Sequence, residues 1–257
     1  MRRLARIAAT GSAFAIFGLG GVLLGNAILP LTRAWPGSTD RRTDRGQRLV
    51  HLIFRAFVAY MKTVGILDVE VLGAERLRSA STRGKLVLAN HPSLIDVVLL
   101  IAEMPQADCV VKRELFQNPF LRRVVSGAGY LANDGGPELT EAIAERLRRG
   151  RSLLLFPEGT RSPMRGLGPF QRGAAHVVLD SGCDVVTVAI SCEPPSLMRG
   201  QAWWDVPPRR MQFRIDAMGE WHRCLPTDER HGRGFHARAL TADLRRHFAE
   251  RLGHADT

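Results

Sequence analysis

Two short segments of this 257-residue chain gather side chains suited to acid–base chemistry and to holding an anion. The first, Asn90-His91-Pro92-Ser93-Leu94-Ile95-Asp96, sets an imidazole five positions before a carboxylate. A neutral imidazole, with an ordinary pKa of about 6.5, can take the proton of an attacking hydroxyl near pH 7. A carboxylate beside it fixes the tautomer and stabilises the imidazolium as it forms. His-x4-Asp alone is weak, because such a spacing recurs by chance in a chain with 8 histidines. The second segment, Phe156-Pro157-Glu158-Gly159-Thr160-Arg161-Ser162, changes that weight. Its proline–glycine turn exposes backbone N–H groups around Gly159, while Glu158 offers an acceptor and Thr160 and Arg161 offer phosphate-compatible donors.

Both segments need a rigid support, and the surrounding pattern predicts an α/β sheet. Short apolar runs at 85–89, 108–111, 152–156 and 185–190 read as buried strands, with a further strand at 210–218. Helical patterns occupy 92–102, 137–149 and 171–180, and an arginine-rich amphipathic helix closes the chain at 235–252. The two segments therefore follow strands 85–89 and 152–156 directly, at the carboxyl ends where open α/β sheets build their sites. Pro92 is expected to open its helix, since a first helical residue loses nothing by lacking an N–H, which puts His91 at or beside the N-cap. His176, on the helix after Gly173, reads as a packed or exposed helical residue and not as a second base.

Upstream, Arg2, Arg3 and Arg6 precede a stretch, 7–31, with no charged residue. Its roughly 25 residues at about 1.5 Å each could cross a ~30 Å hydrocarbon layer. The run exceeds the core of a cleavable signal and predicts a retained membrane anchor. Its glycines and Pro30 leave a re-entrant hairpin as an alternative, and arginines on both flanks leave the orientation open. Residues 44–66 then form a basic amphipathic helix, whose apolar stripe either caps the core or lies in the head-group layer. The expected division is an anchor over 1–40 and one domain over 41–257.

The two motifs together, about 65 residues apart, resemble the glycerolipid acyltransferase family, whose members include 1-acylglycerol-3-phosphate acyltransferases of the lysophospholipid type. The likeness covers roughly 67–218 and takes in Val111-Lys112-Arg113-Glu114-Leu115 and Phe170-Gln171-Arg172-Gly173. It implies a single acyltransferase domain with a mostly parallel or mixed sheet flanked by helices. It implies His91 as the catalytic base, Asp96 as its partner, and Lys112 and Arg161 on the acceptor's phosphate, with Glu158, Gly159 and Thr160 in the substrate-binding turn. The reaction implied is transfer of a fatty acyl group from acyl-CoA or acyl carrier protein to a lysophospholipid hydroxyl, without cofactor or metal, at the cytoplasmic face of the cell membrane.

The chain departs from the family at Gly127-Ala128-Gly129-Tyr130-Leu131-Ala132-Asn133, where Asn133 stands in place of an arginine. Losing one charge-assisted hydrogen bond, worth ~1.5–3 kcal/mol, lowers affinity for a phosphorylated acceptor by about one to two orders of magnitude. The segment Leu197-Met198-Arg199-Gly200-Gln201-Ala202-Trp203-Trp204 resembles a bacterial subgroup associated with aryl-polyene lipid synthesis, so aryl-polyene-type or glycolipid acceptors stay open. Trp203 and Trp204 suit either the head-group layer or ordinary edge packing.

Composition narrows the remaining classes. The chain carries 36 Lys+Arg against 25 Asp+Glu, a net +11 that calls for an anionic neighbour. Arginines scattered through the chain, without aromatic stacking blocks among them, argue against nucleic acid and leave membrane lipids and the acyl carrier as partners. A non-catalytic basic protein of the membrane surface uses the same charge. Cys109, Cys183, Cys192 and Cys224 form no C-x-x-C pair, which argues against zinc and a disulfide framework. A serine hydrolase is excluded for want of a G-x-S-x-G elbow. The oligomeric state is not specified.

Overall fold

A computed structural model describes residues 3–81, 84–221 and 232–253. Cys224 lies outside them. Seven strands, β1 (Leu67–Leu72), β2 (Leu86–Ala89), β3 (Asp108–Lys112), β4 (Leu131–Asn133), β5 (Leu153–Leu155), β6 (Val185–Glu193) and β7 (Met211–Glu220), form one sheet in the order β1-β7-β6-β2-β5-β3-β4. Every pairing is parallel except β6 with β7, so the sheet is mixed, in line with the expected class.

Period-two alternation explains how the sheet is covered on both faces. In β2, Val87 and Ala89 point into one core, and Leu86 and Leu88 into the other. The first core lies under α1 (Arg3–Leu23), α3 (Thr39–Thr63), α5 (Asp96–Ile101) and α6 (Arg122–Gly127). The second lies under α7 (Gly136–Arg148), α8 (Arg172–Ser181) and α9 (Arg233–Leu252). Because all four β2 residues are buried, the strand sits centrally, and the residues that follow it emerge in the middle of the sheet's carboxyl edge. A short helix α4 (Ala74–Ala80) follows β1.

At the N-terminus, Arg3–Thr32 forms a continuous 30-residue helical stretch, long and apolar enough to cross a membrane, of whose most apolar window 22% is buried. It includes a π-helical turn at Leu24–Ile28, followed by α2 (Leu29–Ala34). Pro30 accounts for that turn, since its ring crowds the preceding carbonyls and it gives no N–H to the ladder. Within the structure, α1 runs against α3. Phe17 contacts Phe54 and Phe57 at ring-centroid distances of 6.1 and 5.5 Å, and the hydroxyls of Ser12 and Tyr60 meet at 2.7 Å.

A buried ionic cluster fixes α3 to the amino edge of the sheet. Asp108, fully buried at the start of β3, accepts from Gln47 of α3 at 2.7 Å and from both Arg151 Nε and Nη2 at 2.9 Å. Arg146 adds a contact at 3.1 Å, and Arg151 also reaches Asp44 at 3.1 Å. A buried carboxylate is tolerable only with such partners, and removing one would leave it uncompensated.

Candidate active site

Sheet register brings the two motifs side by side. β2 and β5 are parallel neighbours, with Leu86 opposite Leu153 and Leu88 opposite Leu155, an offset of 67 residues. Continuing that offset past the strand ends puts His91 opposite Glu158, and the His91 N–H does donate to Glu158 Oε1 at 3.1 Å. The Ser162 N–H donates to the His91 carbonyl at 2.7 Å, closing the second link between the loops. On the other side, Asn90 exchanges two hydrogen bonds with the backbone of Ile190, at 2.8 and 2.7 Å, which ties the loop to β6. The motif's spacing assigns Asn90 no role, and the one sequence signal for it is an amide at the end of an all-apolar strand.

Within the first motif, His91 Nδ1 lies 2.8 Å from Asp96 Oδ2. The same Asp96 oxygen accepts the Ser93 N–H at 2.7 Å. Contrary to expectation, Pro92 does not start the helix. α5 begins at Asp96, and 93–95 form a turn. Asp96, the first residue of α5, reaches back to the Ser93 N–H and closes the turn. The serine hydroxyl instead donates to the Ser196 carbonyl at 3.2 Å, so the turn is held by the β6–β7 loop and is not drawn into the helix. His91 thus rides on a turn braced from two sides, and its ring stacks on Phe156 at 4.3 Å. Burial is the main influence on Asp96 and raises its pKa. The His91 hydrogen bond and charge and the Ser93 N–H oppose that, and nearby Glu158 adds to it.

The second motif divides into braces and lining. Glu158 is 3% exposed. It accepts from His91 and the Ser162 hydroxyl through Oε1, at 3.1 and 2.6 Å, and from the Gly168 N–H through Oε2, at 2.8 Å. With both oxygens held inside the protein, its carboxylate orders the loops; the substrate contact expected of it is not what this geometry favours. Gly159 adopts φ +67°, a left-handed conformation that glycine reaches without a Cβ penalty. Arg161 Nη1 donates to the carbonyls of Leu197 and Met198 at 2.9 and 3.0 Å, so a loop the sequence reading had not tied to the site holds the guanidinium. Leu197 takes φ +56°, a strained value for a branched residue, and its carbonyl also accepts the Leu94 N–H at 3.1 Å.

Two openings meet here. An apolar cavity of about 350 Å³ runs between the sheet and helices α1, α3, α5 and α6, with His91, Lys112, Gly159, Thr160 and Arg161 in its lining. A second, more polar cleft of about 830 Å³ lies on the α7–α8 side and shares Asn133, Phe156, Gly159 and Thr160 with the first. Lys112 and Asn133 are register partners at the ends of β3 and β4, so the lysine and the asparagine stand side by side. Of the basic residues nearby, Arg113 is paired with Asp134.

Comparison with known proteins agrees with this geometry. Residues 68–191 match the family model described as Acyltransferase. A 1-acyl-sn-glycerol-3-phosphate acyltransferase of Helicobacter pylori is 36% identical over 111 residues, 39% of this chain and 45% of that protein. One of Pseudomonas aeruginosa is 28% identical over 178 residues, 64% of this chain and 65% of that protein. The chain spans about half the length of several curated relatives it matches, 47% in the case of that from Saccharomyces cerevisiae. The crystal structure of the 1-acyl-sn-glycerophosphate (LPA) acyltransferase from Thermotoga maritima superposes with a TM-score of 0.74 at 19% identity, covering 100% of both chains, which establishes a common fold. The matched stretch, just under half of the chain, carries both motifs and the strands that bring them together, and it is this part of the chain that is similar to the acyltransferase family.

Proposed function

We propose that this protein transfers a fatty acyl group from a thioester to the free hydroxyl of a lysophospholipid such as 1-acylglycerol-3-phosphate. The observation that carries the reading is the 2.8 Å contact of His91 Nδ1 with buried Asp96, at the wall of an apolar cavity. With Nδ1 committed, Nε2 is the ring nitrogen left for a substrate hydroxyl. As the hydroxyl oxygen bonds to the thioester carbonyl carbon, its proton passes to His91 Nε2. The carbon–sulfur bond then breaks, and the departing thiolate recovers the proton. Such positioned base catalysis contributes roughly 10²–10⁴-fold. No acyl-enzyme is required.

The apolar cavity suits an acyl chain, and the adjoining polar cleft suits the hydrophilic part of a substrate, either the acceptor's head group or the carrier arm of acyl-CoA or acyl carrier protein. Lys112, Thr160 and Arg161 are the donors for a phosphate, with Glu158 as a positioning residue. The apolar N-terminal helix and the exposed Phe14, Leu19, Leu23, Trp203 and Trp204 support a place at the cell membrane, with the catalytic domain on its cytoplasmic face. A second reading, transfer to an unphosphorylated or aryl-polyene-type lipid, draws support from Asn133 beside Lys112 and from the engagement of Arg161 by loop carbonyls. The test is to supply membranes containing the chain with a radiolabelled acyl thioester and paired acceptors, and to identify the labelled lipid. Labelled phosphatidate supports the first reading, labelled neutral lipid or glycolipid supports the second, and no labelled lipid contradicts both.

A further inference from the structure

The two openings lie on opposite faces of the sheet, and those faces differ in what they present to the surroundings. On the side of the apolar cavity, Leu4, Ile16, Leu19 and Leu23 of α1 are exposed, with Trp203 and Trp204 packed beside that helix through Phe14. On the other side, neither α7 nor α8 exposes a large apolar side chain among the described residues. The cleft of about 830 Å³ belongs to this second face, and Leu155, Ile143 and Val177 in its wall are part of the core under α7 and α8.

Size and lining narrow what the cleft can hold. It follows one face of α7, through Gly136, Leu139, Thr140 and Ile143, and the first turns of α8 from Arg172 to Val177, roughly 10 and 8 Å along the two axes. In 1-acylglycerol-3-phosphate only a few bonds separate the free hydroxyl from the phosphate, so an acceptor reacting at His91 keeps its phosphate close to the strand ends. Filling the cleft takes a longer group. Apolar Leu139, Ile143 and Val177 alternate in the wall with Asn133, Thr140 and Gln171, a mixture suited to a chain of methylenes and amides. Glu158 also lines the cleft, but both its oxygens are already held by protein donors.

The cleft also carries a charge that the fold does not use. Arg172 lines it, is exposed, and makes no hydrogen bond or ion pair among the described residues. It is the first residue of α8, where a positive charge opposes the helix dipole. One turn on, His176 has a lowered pKa, through burial first and then through the charges of Arg233 and Arg172. An anion beside Arg172 relieves that accumulation of positive charge.

We propose that this cleft receives the phosphopantetheine arm common to coenzyme A and acyl carrier protein, with the arm's phosphate against Arg172. This rests on the acyl-transfer reading and on the apolar cavity as the seat of the acyl chain. The thioester then lies where the two openings meet, at Phe156, Gly159 and Thr160. Its hydrocarbon runs under α1 and α3, and its arm leaves between α7 and α8 toward water. The lipid acceptor approaches from the apolar face, so the soluble carrier and the lipid do not compete for one entrance.

The test uses membranes containing the full-length chain, 1-acylglycerol-3-phosphate as acceptor, and one fatty acyl group on three carriers. These are coenzyme A, acyl carrier protein and N-acetylcysteamine, which keeps the thioester end of the arm and lacks its phosphate. The wild-type protein is expected to use both full-arm donors at least about tenfold better in kcat/KM than the truncated one, the size of one charge-assisted hydrogen bond. In Arg172→Glu that advantage falls to about one, and a carboxylate in the first turn favours the helix. Gly173→Leu is the second variant, because a Cβ at this lining residue meets nothing within 4 Å and leucine is the better helix former. It too is expected to erase the advantage. No preference for the full arm in the wild type, a preference that survives both variants, or loss with one carrier only overturns this inference and leaves the acyl-transfer reading intact. A raised KM for the acceptor with the donor preference unchanged also overturns it, by giving the cleft to the acceptor. No transfer from any donor overturns both.

Discussion

At Asp96 the demands of the proposed catalysis and of stability point in opposite directions, and the opposition can be measured. Its pKa is raised in the folded protein, chiefly by burial, so the folded state holds the proton more tightly than the unfolded chain does. The folded state therefore loses stability as pH rises from about 3.8 through the raised value, and the loss persists at neutral pH. Asp96→Asn removes the buried charge while keeping an oxygen for the Ser93 N–H. At pH 7 it should melt at the same temperature as the wild type or higher, and below pH 3.8 the two should converge. Its acyl transfer should fall roughly 10²–10⁴-fold, because the amide cannot stabilise an imidazolium. Thermal melts across pH beside radiolabelled transfer assays check both halves, and a strongly destabilised variant at pH 7 contradicts the burial argument. Asn133→Arg makes a complementary prediction. A guanidinium beside Lys112 should shift preference toward phosphorylated acceptors by about one to two orders of magnitude in a competition assay. That His91, Asp96 and the turn at 158–161 meet at one edge of the sheet was legible in their spacing after two strands, whereas Lys112 entered only through the family resemblance. The inward engagement of Glu158 was not, since a carboxylate facing backbone donors and one facing a ligand are written with the same letter.

Among the elements, the helices on the α1/α3 face depend on close backbone approach. A Cβ at Gly46 of α3 would lie 2.6 Å from the Gly127 carbonyl oxygen at the end of α6. Neither backbone can yield without disturbing the Gln47–Asp108 bond one residue away. Gly46→Ala should therefore lower stability by about 1–3 kcal/mol, whereas Gly20→Ala, whose Cβ meets nothing within 4 Å, should not. Thermal unfolding of both variants in detergent measures the contrast, and equal behaviour would refute the close-packing account. The longer strands and helices could be read from periodicity, with ends displaced by a few residues. β1, Leu-Asp-Val-Glu-Val-Leu, alternates as a half-buried strand should, yet it was not assigned, because its partner β7 lies far along the chain. β4 has three residues and carries no period of its own; only its register with β3 defines it. The turn at 93–95 depends on a bond to Ser196, a contact that no local window contains.

For the whole molecule, the structure adds most to the reading of the N-terminal stretch, which is apolar and also lines the cavity. Composition identified a lipid-compatible helix, but not that Ala13, Phe14 and Phe17 would line the cavity. A detached tether and a cavity wall have the same hydropathy, and only the α3 stripe that receives α1 separates them. If α1 is a wall, deleting residues 1–34 should abolish transfer of long acyl chains even in detergent, where no anchor is needed. Full activity of the truncated protein in detergent would show the helix to be a tether alone. On the surface, Trp203 and Trp204 are 41% and 56% exposed, and Trp203 packs on Phe14 at 6.0 Å, which links the β6–β7 loop to α1. One loop therefore touches the apolar helix, holds Arg161 and braces the turn that carries His91.

In the proposed reaction the imidazole of residue 91 accepts the proton of the attacking hydroxyl. The direct measurement is the initial rate of acyl transfer from a labelled thioester to 1-acylglycerol-3-phosphate by the wild-type protein and by His91→Ala, at equal amounts in membranes, with folding verified by thermal melting. The rate is predicted to fall by roughly 10²–10⁴-fold with the melting temperature nearly unchanged. A folded His91→Ala protein that transfers acyl groups at the wild-type rate contradicts the account.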